Sequence, residues 1–88
     1  MPVNKQSRSS YRLLIGQNIR KWRELKGIKQ ELLALDIGIT KAALSNIENN
    51  KTDINLHRIE DIANSLDLET MKLFCDPLDL LILPNEKV

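Results

Sequence analysis

Apolar residues recur along the chain at the three- and four-residue spacing that gathers them on one side of a helix. The densest run is QELLALDIGITKAALSNIEN, residues 30–49, where Leu33, Ala34, Ile37, Leu44 and Ile47 form short stripes broken at Gly38. A glycine between two such stretches supplies the positive φ that a sharp turn needs, and Ala34 is small enough for two helices to cross closely. The pattern therefore predicts a helix over about 29–36 and another, capped by Thr40, that runs to Glu48 or Asn49.

The same spacing organises the rest of the chain. Ile15, Ile19 and Trp22 make a stripe on a helix expected from about Ser10 to Lys26, capped by Ser9 or Ser10 and stopped at Gly27. Trp22 falls inside the stripe and reads as a core anchor, while Gly16 beside it leaves room for another helix. A helix over about 56–66, capped by Asn55 or Asp53, buries Leu56, Ile59, Ile62, Ala63 and Leu66 and turns Glu60, Asp61 and Asn64 to water. A short helix over about 69–74 closes the core with Leu73 and Phe74. The expected architecture is all-α: a compact five-helix domain at 10–75, with a polar, flexible arm at 1–9 before it and a short apolar extension at 76–88.

That extension admits two conformations. Leu78, Leu80, Leu81, Ile82 and Leu83 are too apolar to stand in water, yet the helices before them already fill a small core. Pro77 can open a helix and Pro84 ends regular structure, and the residues between them suit a helical turn or a short strand. The segment either packs over its own domain or, as favoured here, pairs two copies of the chain.

Composition narrows the picture. The 88 residues leave room for one core, and three glycines with three prolines favour helices over a turn-rich β fold. The net charge of +1 conceals an asymmetry, because residues 1–30 carry eight basic groups against the acid Glu24, whereas the remainder carries five against eleven. A polyanion would be drawn to one side of the molecule and repelled by the other. Enzyme chemistry is not expected. His57 stands without a second His or a Cys, and neighbouring Glu60 and Asp61 point about 100° apart on a helix. There is no glycine-rich phosphate loop, so no catalytic residue, cofactor or metal is anticipated. Cys75, the single cysteine, reads as a small buried apolar group. The absence of a signal-peptide pattern makes the cytoplasm the expected compartment. No membrane partner is expected, since the run Leu80 to Leu83 is far too short to cross a bilayer.

Around the helix at 40–49, Lys41, Ala42, Ser45, Asn46 and Asn49 occupy one arc and Ala43, Leu44 and Ile47 the opposite one. The free arc holds no acid, and Glu48 falls at its border beside the buried arc. Such a face suits entry into an electronegative groove. The ordered set Arg23, Gln30, Ala34, Gly38, Thr40, Ile47, Glu48 and Leu66 is carried by IGQNIRKWRELKGIKQ, ELLALDIGITKAALSNIEN and INLHRIEDIANSLDL. Over residues 12–74 this set resembles the lambda-repressor-like, or XRE-type, helix-turn-helix family of bacterial and phage DNA-binding regulators. Where family members often carry glycine this chain has Asn50, the residue next best able to adopt a left-handed cap.

The resemblance implies sequence-specific binding of double-stranded DNA by a small transcriptional regulator, a repressor by first choice. The helix at 40–49 would lie in the major groove and the helix before it would cross the backbone. On that footing Lys41 can donate to guanine O6/N7 or to a phosphate, Ala42 can touch a thymine methyl, Ser45 can bond several bases, and Asn46 can pair with adenine N6/N7. The resemblance assigns Gln30 to a phosphate, and Thr40, Lys51, Thr52, Arg20 and Lys21 are placed to join it; such contacts position the helix without reading sequence. It also implies a partly buried ion pair between Arg23 and Glu48 that orients the groove-reading helix. Base contacts worth about 1 to 3 kcal/mol each cannot select one genomic site alone, so a homodimer reading half-sites roughly 34 Å apart is expected. The arm at 1–9 is either simply disordered or carries cations to a DNA groove. The competing function is a protein-interaction module on the same fold, antitoxin-like, whose partner (a toxin or another regulator) meets the tail or the surplus Leu32 and Leu35.

Overall fold

The computed structural model describes residues 15–82, with side chains as far as Asp79. The expected arm at 1–9, the start of the first helix and Pro84 lie outside the described residues. Helix α1 occupies residues 15–25 of the described chain. It is followed by α2 (Gln30–Ile37), α3 (Lys41–Glu48), α4 (Leu56–Ser65), a 3₁₀ turn (Thr70–Phe74) and α5 (Pro77–Ile82). No strand occurs among the described residues.

One device ends each of the first four helices. Gly27, Gly38, Asn50 and Asp67 have φ of 72°, 77°, 62° and 58°, and their N–H groups and those of the next residues turn back to the last carbonyls. After α2, Gly38 N–H reaches Leu35 O at 3.2 Å and Ile39 N–H reaches Ala34 O at 2.9 Å. The paired bonds satisfy carbonyls that a helix end would otherwise orphan. The residue just past the left-handed position is Ile28, Ile39 or Leu68 after α1, α2 and α4, and each packs against the core. After α3 it is the exposed Lys51. Three of these turns fold the chain back inward, and the one after α3 leads it out to solvent.

The core joins Ile19 and Trp22 of α1, Leu33 and Ala34 of α2, Leu44 and Ile47 of α3, and Ile59, Ile62 and Ala63 of α4, with Leu66 and Leu73. α2 and α3 have eight residues each, and isolated helices shorter than about 12–15 residues are marginal in water. Burial therefore holds them, at about 1.5–3 kcal/mol for each fully buried aliphatic side chain.

Several expectations are corrected. The segment read as a helix over 69–74 is a 3₁₀ turn, and α5 belongs to the extension, which is helical where described. The turn has three residues per revolution, so buried Leu73 turns its neighbour Phe74 outward, where it is 44% exposed. Leu56 shares a face with Ile59 but opens α4 at 61% exposure, because Ile54 already packs against the core just before it. Cys75 is exposed rather than buried. It lies in an extended link before Asp76 and Pro77, and its carbonyl, not its thiol, faces inward to accept from Trp22 Nε1 at 3.3 Å.

α1 grips this link at several points. Trp22 Nε1 also donates to Lys72 O at 3.0 Å, Asn18 Nδ2 donates to Leu73 O at 3.1 Å, and Lys21 Nζ lies 2.6 Å from Asp76. The start of α5 is thereby fixed to α1. No helix among the described residues is long and apolar enough to cross a membrane.

Candidate nucleic-acid interface

The interface is built from the cap of α3 outward. Thr40 is extended, and its Oγ1 accepts the Ala43 N–H at 3.0 Å, which starts α3 directly after the Gly38 turn. Leu44 and Ile47 anchor one side of the helix in the core. On the other side Lys41, Ala42 and Asn46 are exposed and Ser45 is half-buried.

Glu48, the one acid of α3, is withdrawn from this face. Arg23 Nε meets its Oε2 at 2.7 Å and Arg23 Nη2 meets Oε1 at 3.1 Å, while Arg23 Nη1 donates to Ile28 O at 2.8 Å. Arg23 and Glu48 are 8% and 3% exposed, so the fork is a buried, two-pronged, charge-assisted contact. The Glu48 hydrogen bond holds the guanidinium above its ordinary pKa against the opposing effect of burial. Gln30 Nε2 adds a third donor to the carboxylate, at 3.0 Å from Oε1. One network thus ties α1, the start of α2 and the end of α3 together.

The residues expected to hold phosphates differ in what they already hold. Lys51 and Thr52 are exposed in the turn after α3. Thr40 accepts in its cap and keeps its hydroxyl proton for a further acceptor, and Gln30 keeps one amide N–H beyond the bond to Glu48. Arg20 and Lys21, read from the sequence as phosphate contacts, already have carboxylate partners: Glu24 at 3.1 Å and Asp76 at 2.6 Å. They line an open cleft of about 440 Å³ with Gln17, Glu24, Glu48, Asn49 and Asn50, which brings α1 to the end of α3. Lys41 Nζ lies 3.6 Å from the Glu31 carboxylate, both side chains being largely exposed. A pair of that kind contributes at most about 1 kcal/mol and yields readily to a stronger anion.

Sequence reasoning missed Glu31, Asp76 and Asn18. The Asp-Pro dipeptide at 76–77 carried a signal, since Asp suits a cap and Pro a first turn, and Asp76 Oδ1 does accept the Leu78 N–H at 2.9 Å. Nothing local indicated that the same carboxylate bonds Lys21, 55 positions away. The Lys21 ammonium first, and the Leu78 N–H second, hold Asp76 below the usual carboxylate range. Among the described residues no group of three His, Cys, Asp or Glu side chains gathers at metal-binding range.

A capped helix with an acid-free outer face, set by a tight glycine turn on a supporting helix, defines a DNA-binding helix-turn-helix domain. Residues 19–73 match the family described as helix-turn-helix, and the chain belongs to that family, in its lambda-repressor-like, XRE-type form. Among solved structures it is similar to the restriction-modification controller protein C.AhdI from Aeromonas hydrophila. That likeness has 32% identity and a TM-score of 0.66, covering 69% of this chain and 90% of that one. It is likewise similar to the hypothetical transcription factor NHTF from Neisseria, at 31% identity and a TM-score of 0.72, covering 81% of this chain and 82% of that one. The clp gene regulator ClgR from C. glutamicum shares the fold, with a TM-score of 0.73 over 83% of this chain and 95% of that one, at 18% identity. No curated protein matches the chain.

Proposed function

We propose that this DNA-binding regulator is a transcriptional repressor that reads a two-fold symmetric site as a homodimer, with α3 of each copy in the major groove. The observation that carries the reading is the division of charge on α3. Lys41, Ala42, Ser45 and Asn46 face outward with no acid among them, and Glu48 is neutralised in the interior by Arg23. Gln30, Thr40, Lys51 and Thr52 hold the backbone, and Arg20 and Lys21 join them by exchanging carboxylates for phosphates. The activity is binding and not catalysis, and a DNA target sets the work in the cytoplasm. Similarity to a restriction-modification controller and a transcription factor supports regulation.

The dimer is supported by exposed Met71, Phe74 and Leu78 along the 3₁₀ turn and the start of α5, a segment that α1 fastens in place. A second copy would cover this apolar strip and double the base contacts.

Titration of duplexes bearing a selected site, followed by fluorescence anisotropy at low and moderate salt, tests the reading. Affinity should fall linearly on logarithmic axes with a slope reporting several released counterions; an affinity independent of salt overturns the phosphate clamp. A chain ending at Asp76 should lose dimerisation and tight DNA binding together. The second reading, a protein-partner module, is favoured by Leu32 and Leu35, the latter 76% exposed on α2. That reading gains if the truncated chain binds DNA normally and loses only a toxin or regulator partner.

A further inference from the structure

We infer that Asn49 is a positioning residue that biases Ser45 toward donating a hydrogen bond to DNA and so disfavours cytosine as the base facing it; the inference rests on the proposal that α3 reads the major groove. A serine alone is an ambiguous reader, since its hydroxyl can donate to a base acceptor or accept from a base amino group. In mid-helix it also tends to turn its proton back to the carbonyl four residues earlier, which leaves only lone pairs facing outward.

The geometry around Asn49 removes that ambiguity. Its side-chain amide lies 3.0 Å from the Ser45 carbonyl oxygen and 3.3 Å from Ser45 Oγ. A carbonyl oxygen can only accept, so the end of the amide that touches it is the NH₂ and not the oxygen. The same NH₂ group therefore donates to Oγ, and one lone pair of the hydroxyl is occupied from the side of the helix end. Among the described residues Ser45 Oγ accepts from Asn49 and donates to no protein carbonyl, so its proton is left to the outward side, beside exposed Ala42 and Asn46. Guanine offers O6 and N7 there, adenine N7 and thymine O4, whereas cytosine offers only its N4 amino donor. Asn49 is exposed and bonds nothing in the core, so its replacement leaves the fold in place.

Selection of bound duplexes from a random library tests this on the full chain, using the wild type, Ser45→Ala and Asn49→Ala, with a thermal melt of each. The wild type should disfavour cytosine at one position of the half-site by roughly fivefold, the worth of one neutral hydrogen bond. Both variants should lose that discrimination at the same position, keep the other positions, and melt as the wild type does. Uniformly weaker binding of Asn49→Ala with the base preference intact would make Asn49 a backbone contact and overturn the inference alone. So would a Ser45→Ala variant with unchanged preferences. Recovery of no motif by the wild type overturns the major-groove reading, and the inference falls with it.

Discussion

Gly16 of α1 lies against Ile47 of α3 so closely that a Cβ added to the glycine would fall 2.5 Å from the Ile47 carbonyl oxygen, and nearer still to the Asn50 side-chain oxygen. The Asn50 amide can swing away; the carbonyl belongs to the backbone and moves only if α3 moves. Gly16→Ala is therefore expected to destabilise the domain by about 1–3 kcal/mol, although alanine is the better helix former by about 1 kcal/mol. Its DNA affinity should fall further than stability alone accounts for, because the displaced element is the one proposed to read the groove. Urea unfolding and duplex titration check both parts, and a melting temperature at or above that of the wild type would show that α1 and α3 can separate without cost.

The buried fork of Arg23 and Glu48 predicts a non-additive pair. Glu48→Ala strands a guanidinium that is 8% exposed, and removing one partner of a buried ion pair costs about 3–5 kcal/mol. Arg23→Met strands the carboxylate, for which Gln30 remains a partial partner. The double variant should be more stable than the sum of the single losses indicates, since no unpaired charge is left inside. A double-mutant cycle from denaturant melts measures the coupling; additive losses would mean the two side chains act independently.

These two relationships were unequally legible in the sequence. The Gly38 turn and the stripes of α2 and α3 could be read because glycine conformation and helical period are local properties. Gly16 could be flagged as a close approach, but not which backbone atom approaches it. Errors gathered where tertiary geometry overrides a face assignment. Leu56 lies on the apolar face of α4 yet beyond the edge of the core, and Phe74 was turned out by a 3₁₀ turn where an α-helix was expected. Asn18, buried and bonded to Leu73 O, sits on a helix whose pattern marks it as polar and hence external. At the candidate interface the sequence distinguished basic from acidic faces, but not that Arg20 and Lys21 already have carboxylate partners.

The end of α4 predicts a gain in stability. Asp67 closes α4 with φ of 58°, a conformation costly for residues with a Cβ and placed where the helix dipole disfavours a negative charge. Asp67→Gly removes both penalties and should stabilise by about 0.5–1 kcal/mol, raising the melting temperature by several degrees in a domain of this size. Scanning calorimetry measures it. A lower melting temperature would mean that the Asp67 carboxylate contributes more than its backbone strain removes.

Asp76 predicts an acid limb to stability. Its carboxylate takes the Lys21 ammonium at 2.6 Å and the Leu78 N–H at 2.9 Å, both of which favour the charged form and hold its pKa below the usual range. A carboxylate with a depressed folded-state pKa contributes stability that is complete above its unfolded pKa, about 3.9, and is lost as the pH falls through the lower folded value. Asp76→Asn keeps a capping oxygen for α5 but removes the charge facing Lys21. The variant should therefore melt below the wild type near neutral pH, and the difference should shrink as the pH is lowered below about 4. Added salt at neutral pH should narrow the same gap, since the pair is partly exposed. The variant also frees Lys21 for its proposed phosphate contact, so at neutral pH its DNA affinity should rise while its stability falls. Melting curves across that pH range, paired with duplex titration, check both signs, and a stability difference that does not change with pH would show that Asp76 acts through its cap alone.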